Sequence, residues 1–240
     1  MIESILPAYV VAVDMFDDPP DARLFDAEER VVSQAVEKRR REFTTARFCA
    51  RRALALLGRP PAPILPGQRG EPRWPMGIVG SITHCAGYRG AVIGEAERVR
   101  TIGIDAEPNA ALTEGVLEAV SLGAERDDIR TLAREHSRVH WDRLLFSAKE
   151  SVYKAWYPLA HRFLDFEEAL ISIDPLAGTF SARLLIDGPM VNGRQLTGFT
   201  GRWLASDGLL LTAIVVPTML AARHSPVRLT PATPVVPAPA

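Results

Sequence analysis

Residues 141–157 read WDRLLFSAKESVYKAWY, and this run decides the fold. Leu144, Leu145, Ala148, Val152, Ala155 and Trp156 recur at three- and four-residue steps, the spacing of one apolar helix face, and Pro158 is expected to stop the helix. A second helix of the same kind is expected over 42–57, with Phe43, Ala46, Ala50, Ala53, Leu54 and Leu57 on one face and Gly58, Pro60 and Pro61 behind it. Short strands surround both. Residues 8–15 precede the earlier helix, and 77–82, 90–94 and 101–105 follow it. Residues 169–173, 182–186, 198–204 and 209–216 follow the later one, the last two joined as a hairpin by Ser206-Asp207-Gly208. A short helix is expected over 26–35, and two more in the polar connection 108–139. Each half thus runs helix, then antiparallel strands. That order predicts an α+β fold of two lobes, residues 1–103 and 104–217, meeting at a cleft near residue 105. Residues 218–240, dense in Pro and Ala, read as a disordered tail.

The chain has 240 residues, 47% hydrophobic and 24% charged, the balance of an ordinary globular protein. Its net charge of −1 excludes a global polyanion binder, so any anion site must come from local clustering of basic residues. The two cysteines, Cys49 and Cys85, fit neither a zinc spacing nor a disulfide framework, and a reducing cytoplasm is the simplest setting. Residues 5–13 make a poor signal peptide, with Glu3 and no basic residue in front, and no apolar run approaches the ~20 residues of a membrane span.

Four segments carry candidate chemistry. Strand alternation puts Asp105 and Glu107 on the same side, a pair of hard oxygen donors suited to Mg²⁺, though a solvated strand edge has the same pattern. Glu150 and Lys154 share a helix face. As a surface pair they contribute a few tenths of a kcal/mol; among the aromatic residues Trp141, Phe146, Tyr153 and Trp156 they are expected to be partly buried and to need a metal or phosphate. The segment Ser81-Ile82-Thr83-His84 enters a tight turn that offers hydroxyls, an imidazole and backbone N–H groups to a phosphate. The run 38–41, KRRR, leads into a helix bearing Arg47, Arg51 and Arg52. Periodicity puts Arg40, Arg47 and Arg51 on one stripe, for phosphate or for solvent.

Taken in one order, these segments change the reading. RRREFTTARFCARRAL (39–54), GEPRWP (70–75), VGSITHCAGYRGAV (79–92), IGIDAEP (102–108) and FSAKESVYKAWYPL (146–159) resemble the Sfp/EntD-type 4'-phosphopantetheinyl transferases. The resemblance covers roughly residues 30–160. It implies a pseudo-twofold pair of α+β lobes with coenzyme A in the cleft between them. By the same resemblance, Asp105, Glu107 and Glu150 bind Mg²⁺, with Mn²⁺ possible, and Ala106 offers only its backbone. Lys154 and His84 hold the pyrophosphate, with Thr83 and Lys149 beside it. Arg39 and Arg47 reach the 3'-phosphate or adenine end. Here motif and periodicity disagree, Arg39 against Arg40; the motif is followed, because a break before Glu42 would void the periodicity. Related chains often carry Lys in the loop before Trp74-Pro75, and Arg69 is the basic substitute here.

The implied reaction moves phosphopantetheine from coenzyme A to a serine of an apo acyl or peptidyl carrier protein and releases 3',5'-ADP. Glu150, directly or through a hydroxide it orients, takes the serine proton, and Lys154 and His84 stabilise charge on the leaving pyrophosphate oxygens. The carriers of fatty-acid, polyketide, peptide-synthetase and siderophore pathways all present such a serine. A monomer with no nucleic-acid or membrane partner is expected. The connection 112–120 has an apolar face (Leu112, Val116, Leu117, Val120) that either docks the carrier helix or is plain core. Alternatives are a Mg²⁺-dependent phosphodiesterase that spends coenzyme A on water, a non-catalytic holder of coenzyme A or carrier protein, and a nucleic-acid binder using the Arg helix.

Overall fold

The computed structural model describes residues 1–219, so all but the first two residues of the expected tail lie outside it. In the first half, β1 (Val11–Met15), β2 (Ile78–Cys85) and β3 (Tyr88–Glu95) form an antiparallel sheet in the order β1-β3-β2. The helices α1 (Asp26–Val31) and α2 (Glu37–Leu56) lie between β1 and β2 in the chain, and α2 packs on β1 and β3. In the second half, β4 (Val99–Pro108) is followed by α3 (Val116–Val120), α4 (Gly123–Glu135) and α5 (Trp141–Ala160). Then come β5 (Ala169–Asp174), β6 (Thr179–Leu184), the two-residue strands β7 (Met190–Val191) and β8 (Arg194–Gln195), β9 (Gly198–Ser206) and β10 (Leu209–Pro217). The larger sheet has the order β4-β10-β9-β6-β5. The β9–β10 hairpin turns on Asp207 and Gly208, with φ of 50° and 75°, as a mirror-image two-residue turn requires.

Both long helices exceed their expected bounds. The earlier one starts at Glu37 rather than 42 and is continuous through the basic run. The later one does not stop at Pro158. The ring removes only the N–H that would bond back toward Lys154. One more turn follows, closed by His161 at φ 49°, whose N–H donates to Tyr157 O at 2.9 Å. The expected helix over 26–35 is shorter, ending at Val31. The strand β4 pairs with β10 from Val99 onward and runs unbroken through residues 103 and 104, where a lobe boundary was expected.

Three apolar clusters hold the layers together. One lies between α2 and the small sheet, and one between α4, α5 and the large sheet. The third, with Ile2, Tyr88, Val92, Ile102, Ile104 and Leu211, is shared by both sheets. Next to it, β2 and β4 lie side by side without a backbone ladder. Instead Ser81 Oγ accepts from Ile104 N–H at 3.1 Å and Thr83 Oγ1 from Ala106 N–H at 3.0 Å. On the other face of β4, α5 comes into backbone contact at Gly103. A Cβ there would stand 2.0 Å from Ser151 O and 2.7 Å from Ala155 N. Thr101 Oγ1 donates to Ala155 O at 2.8 Å, and Ser151 Oγ lies 2.6 Å from Thr212 Oγ1 on β10.

Gly103→Ala is therefore expected to cost ~3 kcal/mol of unfolding free energy, through a clash that only backbone movement relieves. Gly123→Ala, where the nearest atom to a new Cβ is the Arg126 side-chain tip at 3.9 Å, should change stability by less than ~1 kcal/mol. Urea unfolding of the two variants checks the contrast.

Candidate active site

Glu150 and Lys154 lie one turn apart on α5, above the carboxyl half of β4. Lys154 Nζ donates to Asp105 Oδ1 at 2.8 Å and to Ile104 O at 3.1 Å. Thr83 Oγ1 donates to the same Asp105 oxygen at 3.2 Å. The other carboxylate oxygen, Oδ2, is buried and has no partner. Asp105 is only 5% exposed, so this orphan is costly in isolation. Burial and the charge of Asp105 push the Glu150 carboxyl up, against the pull of Lys154. Burial and Asp105 likewise push Glu107 up, against Arg143, whose Nη1 donates to Glu107 Oε2 at 2.9 Å. Among the described residues no three Asp, Glu, His or Cys side chains form a ready-made metal cluster; Lys154 and Arg143 each hold one carboxylate oxygen there. The donor set still suits a hard cation: Asp105 Oδ2 is unpartnered, and burial, reinforced by the charge of Asp105, raises the pKa of two further carboxylates beside it.

Beside this cluster opens a cavity of about 480 Å³, lined by Glu150 and Lys154 and by four arginines, Arg39, Arg47, Arg69 and Arg100. Arg47 is 7% exposed. It stacks on Phe43 at 3.8 Å and donates Nε to Ile64 O at 3.1 Å. Its terminal nitrogens have no partner among the described residues. Burial lowers its pKa to about 10, so it stays charged at neutral pH and incompletely compensated. Arg39 donates to His84 Nε2 at 2.7 Å, and Glu42 Oε2 lies 3.7 Å from Nδ1. A guanidinium only donates, so His84 is neutral with its proton on Nδ1, toward Glu42. Burial, reinforced by Arg39, keeps its pKa below the usual histidine range.

Most expected site residues gather here, with two displacements. Thr83 does not line the cavity; its hydroxyl is spent behind Asp105, in the seam between β2 and β4. Lys149 points to the other side of α5. Its Nζ lies 2.9 Å from Glu125 Oε1 and donates to Phe166 O and Ala169 O, both at 2.7 Å, which uses all three protons on structure. Adjacent helix positions differ by about 100°, so Lys149 and Glu150 do not share a side. The choice of Arg39 over Arg40 matches the geometry, for a reason other than a helix break. Arg40 and Arg51 are ion-paired with Glu29 and Glu28 of α1, while Arg39 reaches across to His84. The face 112–120 is mixed: Val120 is buried and Leu117 packs on the core, whereas Leu112 and Val116 are half exposed.

Several lining or contacting groups were not foreseen, among them Arg100, Tyr157, Glu42 and Arg143. Two had a signal. Arg143, Glu150, Lys154 and Tyr157 follow seven-, four- and three-residue steps along one stripe of α5.

The His84 shift fixes the sign of a pH effect. A lowered folded pKa gives stability that is present above the unfolded value of 6.5 and is lost as pH falls through the folded pKa. His84→Gln, which keeps an acceptor for Arg39, should thus lose less thermal stability than wild type between neutral pH and about pH 5. Melting curves across that range check it.

Residues 27–94 match the 4'-phosphopantetheinyl transferase N-terminal domain, and residues 101–197 the 4'-phosphopantetheinyl transferase superfamily. Three curated proteins align along most of the chain. Identity is 56% with 4'-phosphopantetheinyl transferase Svp of Streptomyces mobaraensis, over 90% of this chain and 89% of the relative. It is 50% with PptT of Mycobacterium tuberculosis, over 90% and 98%. It is 52% with Npt of Nocardia iowensis, over 89% and 99%.

Proposed function

The chain belongs to the 4'-phosphopantetheinyl transferases, and from that premise we propose how its own residues carry the reaction. The enzyme moves the 4'-phosphopantetheine arm of coenzyme A onto a serine of an apo carrier protein and releases 3',5'-ADP. The observation that carries the site assignment is the buried, unpartnered Asp105 Oδ2 beside an arginine-lined cavity. Asp105, Glu107 and Glu150 would hold Mg²⁺, or Mn²⁺ in its place. When bound, the cation would neutralise charge on the pyrophosphate and leave Asp105 no orphan.

The remaining work falls to the chain. Arg47, Arg39 and Arg69 bind the phosphates and adenine end of coenzyme A, in a cavity where cations already outnumber anions. Lys154, held by Asp105, meets the charge that develops on the leaving oxygen. His84 begins neutral and picks up a proton when a phosphate replaces Arg39 as its neighbour. Glu150 takes the proton of the acceptor serine. Burial moves its pKa toward the working pH, which suits a general base. Lys149 takes no part. The carrier protein approaches over Leu112 and Val116, the half-exposed part of the 112–120 face. The cleft is read as lying between two lobes, with the boundary expected at 103/104 moved ahead of Val99, because β4 runs unbroken through those residues. No helix of the described residues is long and apolar enough to cross a membrane. A cytoplasmic monomer is the reading for the cell; the two cysteines are free and buried, with pKa raised by burial to about 12.

Intact-mass measurement of an apo carrier protein mixed with enzyme, coenzyme A and Mg²⁺ should show one added phosphopantetheine, lost on chelation. Coenzyme A consumed without a mass gain on the carrier would favour hydrolysis instead. Glu150→Ala should lower turnover by at least ~100-fold with the fold intact; Arg47→Ala should mainly weaken coenzyme A binding. Val116→Arg should raise KM for the carrier and leave KM for coenzyme A alone, whereas unfolding of that variant would assign Val116 to the core.

A further inference from the structure

Residues 109–112, the first part of the connection from β4 to α3, have no regular structure, yet side chains of α5 and backbone groups just before it hold them closely. Arg143 is central. Its Nε donates to Ala110 O at 3.1 Å and its Nη2 to Ala111 O at 2.8 Å, while Nη1 takes Glu107 Oε2. The neighbouring Asp142 Oδ2 accepts from Leu112 N–H at 2.8 Å. Asn109 closes the other end, donating Nδ2 to Arg138 O and accepting from His140 N–H, each at 2.9 Å. Glu107 Oε1 has no partner among the described residues, so the guanidinium fixes the carboxylate by one oxygen and leaves the other free for a cation.

We propose that Arg143 is a positioning residue that joins the carboxylate cluster to the carrier-facing segment, setting the rotamer of Glu107 and the path of residues 109–112 with one planar group. The inference rests on the reading of Asp105, Glu107 and Glu150 as the cation site and of Leu112 and Val116 as the carrier face. A rigid fork is what the task needs. Three acceptors on one side of a loop can be met at once by the diverging nitrogens of guanidinium, whereas an ammonium at the end of a flexible stem holds one or two. Loss of Arg143 would therefore act on two substrates unequally. The coenzyme A cavity is not lined by Arg143 and would keep its affinity, while the carrier would meet a loosened segment.

The test compares Arg143→Ala and Arg143→Lys with wild type in three readings: Mn²⁺ affinity by electron paramagnetic resonance of the free ion, KM for coenzyme A, and KM for the apo carrier. Arg143→Lys retains the Glu107 ion pair and loses the grip on the carbonyls. It should raise carrier KM about tenfold with Mn²⁺ affinity and coenzyme A KM unchanged. Arg143→Ala should show the same carrier defect and, in addition, bind Mn²⁺ about tenfold more weakly, the cost of losing a ligand's supporting partner. Wild-type carrier KM in both variants would overturn the proposal, as would an equal rise in both KM values. If Arg143→Ala does not fold, the Lys variant decides by the same criterion. Asp105→Ala separates this from the underlying reading: Mn²⁺ binding equal to wild type in that variant would remove the cation site itself, whatever Arg143 does.

Discussion

The approach of α5 to β4 at Gly103 is the constraint on which the cleft depends. With no side chain at that position, the helix backbone rests on the strand backbone, and a Cβ would stand 2.0 Å from Ser151 O. Any larger residue would lift the helix. Lys154 could then not reach both Asp105 Oδ1 and Ile104 O, and Glu150 would withdraw from Asp105, whose charge helps to raise its pKa. The hydroxyls of Thr101, Ser147 and Ser151 continue the contact with bonds to Ala155 O and to Thr212. A polar interface inside a core is stable only when every member is satisfied, and here the hydroxyls satisfy one another.

Charge is arranged on this frame with a clear division of labour. Where a cation has a full set of partners it is structural: Lys149 with Glu125 and two carbonyls, Arg51 with Glu28. Two groups with missing partners lie at the site: Arg47, which lines the cavity, has only Nε bonded, and Asp105, next to it, keeps a bare oxygen. On the proposed reading, the uncompensated positive charge serves the phosphates and the uncompensated negative charge next to it serves a cation. Such an arrangement reduces the stability of the ligand-free protein and is repaid only on binding.

Much of this was legible in the sequence, because the two long helices and the strands around them have strong periods. The α+β class, the Asp-Gly hairpin and the convergence of His84, Asp105, Glu150 and Lys154 followed from pattern and motif. Other features depend on tertiary partners that no local pattern records. Glu28 and Glu29 claim Arg51 and Arg40 from a separate helix, which leaves Arg39 to the cleft although periodicity favoured Arg40. Lys149 stands next to Glu150 in a motif that reads as one unit, yet Glu125, 24 positions earlier, draws it to the opposite side. Pro158 reads as a helix stop, but the turn beyond it needs only the Tyr157 carbonyl and a left-handed His161. Tyr157 and Arg143 reveal themselves only once the polar stripe of α5, rather than its apolar one, is followed.

The buried anchoring of Lys149 bears on catalytic precision. A helix lying on a sheet can roll about its own axis with little change in apolar burial, because neighbouring side chains exchange places. At a side-chain radius of ~6 Å, a roll of about 10° carries a carboxylate about 1 Å sideways. Displacements of that size are enough to cost a reaction about 100-fold. Lys149 fastens one flank of α5 to the carbonyls of Phe166 and Ala169, and Ser151 fastens another to Thr212. Glu150 lies in sequence between these two fixings, so the angular setting of the helix, and with it the aim of the proposed base, is decided by residues that never meet the substrate.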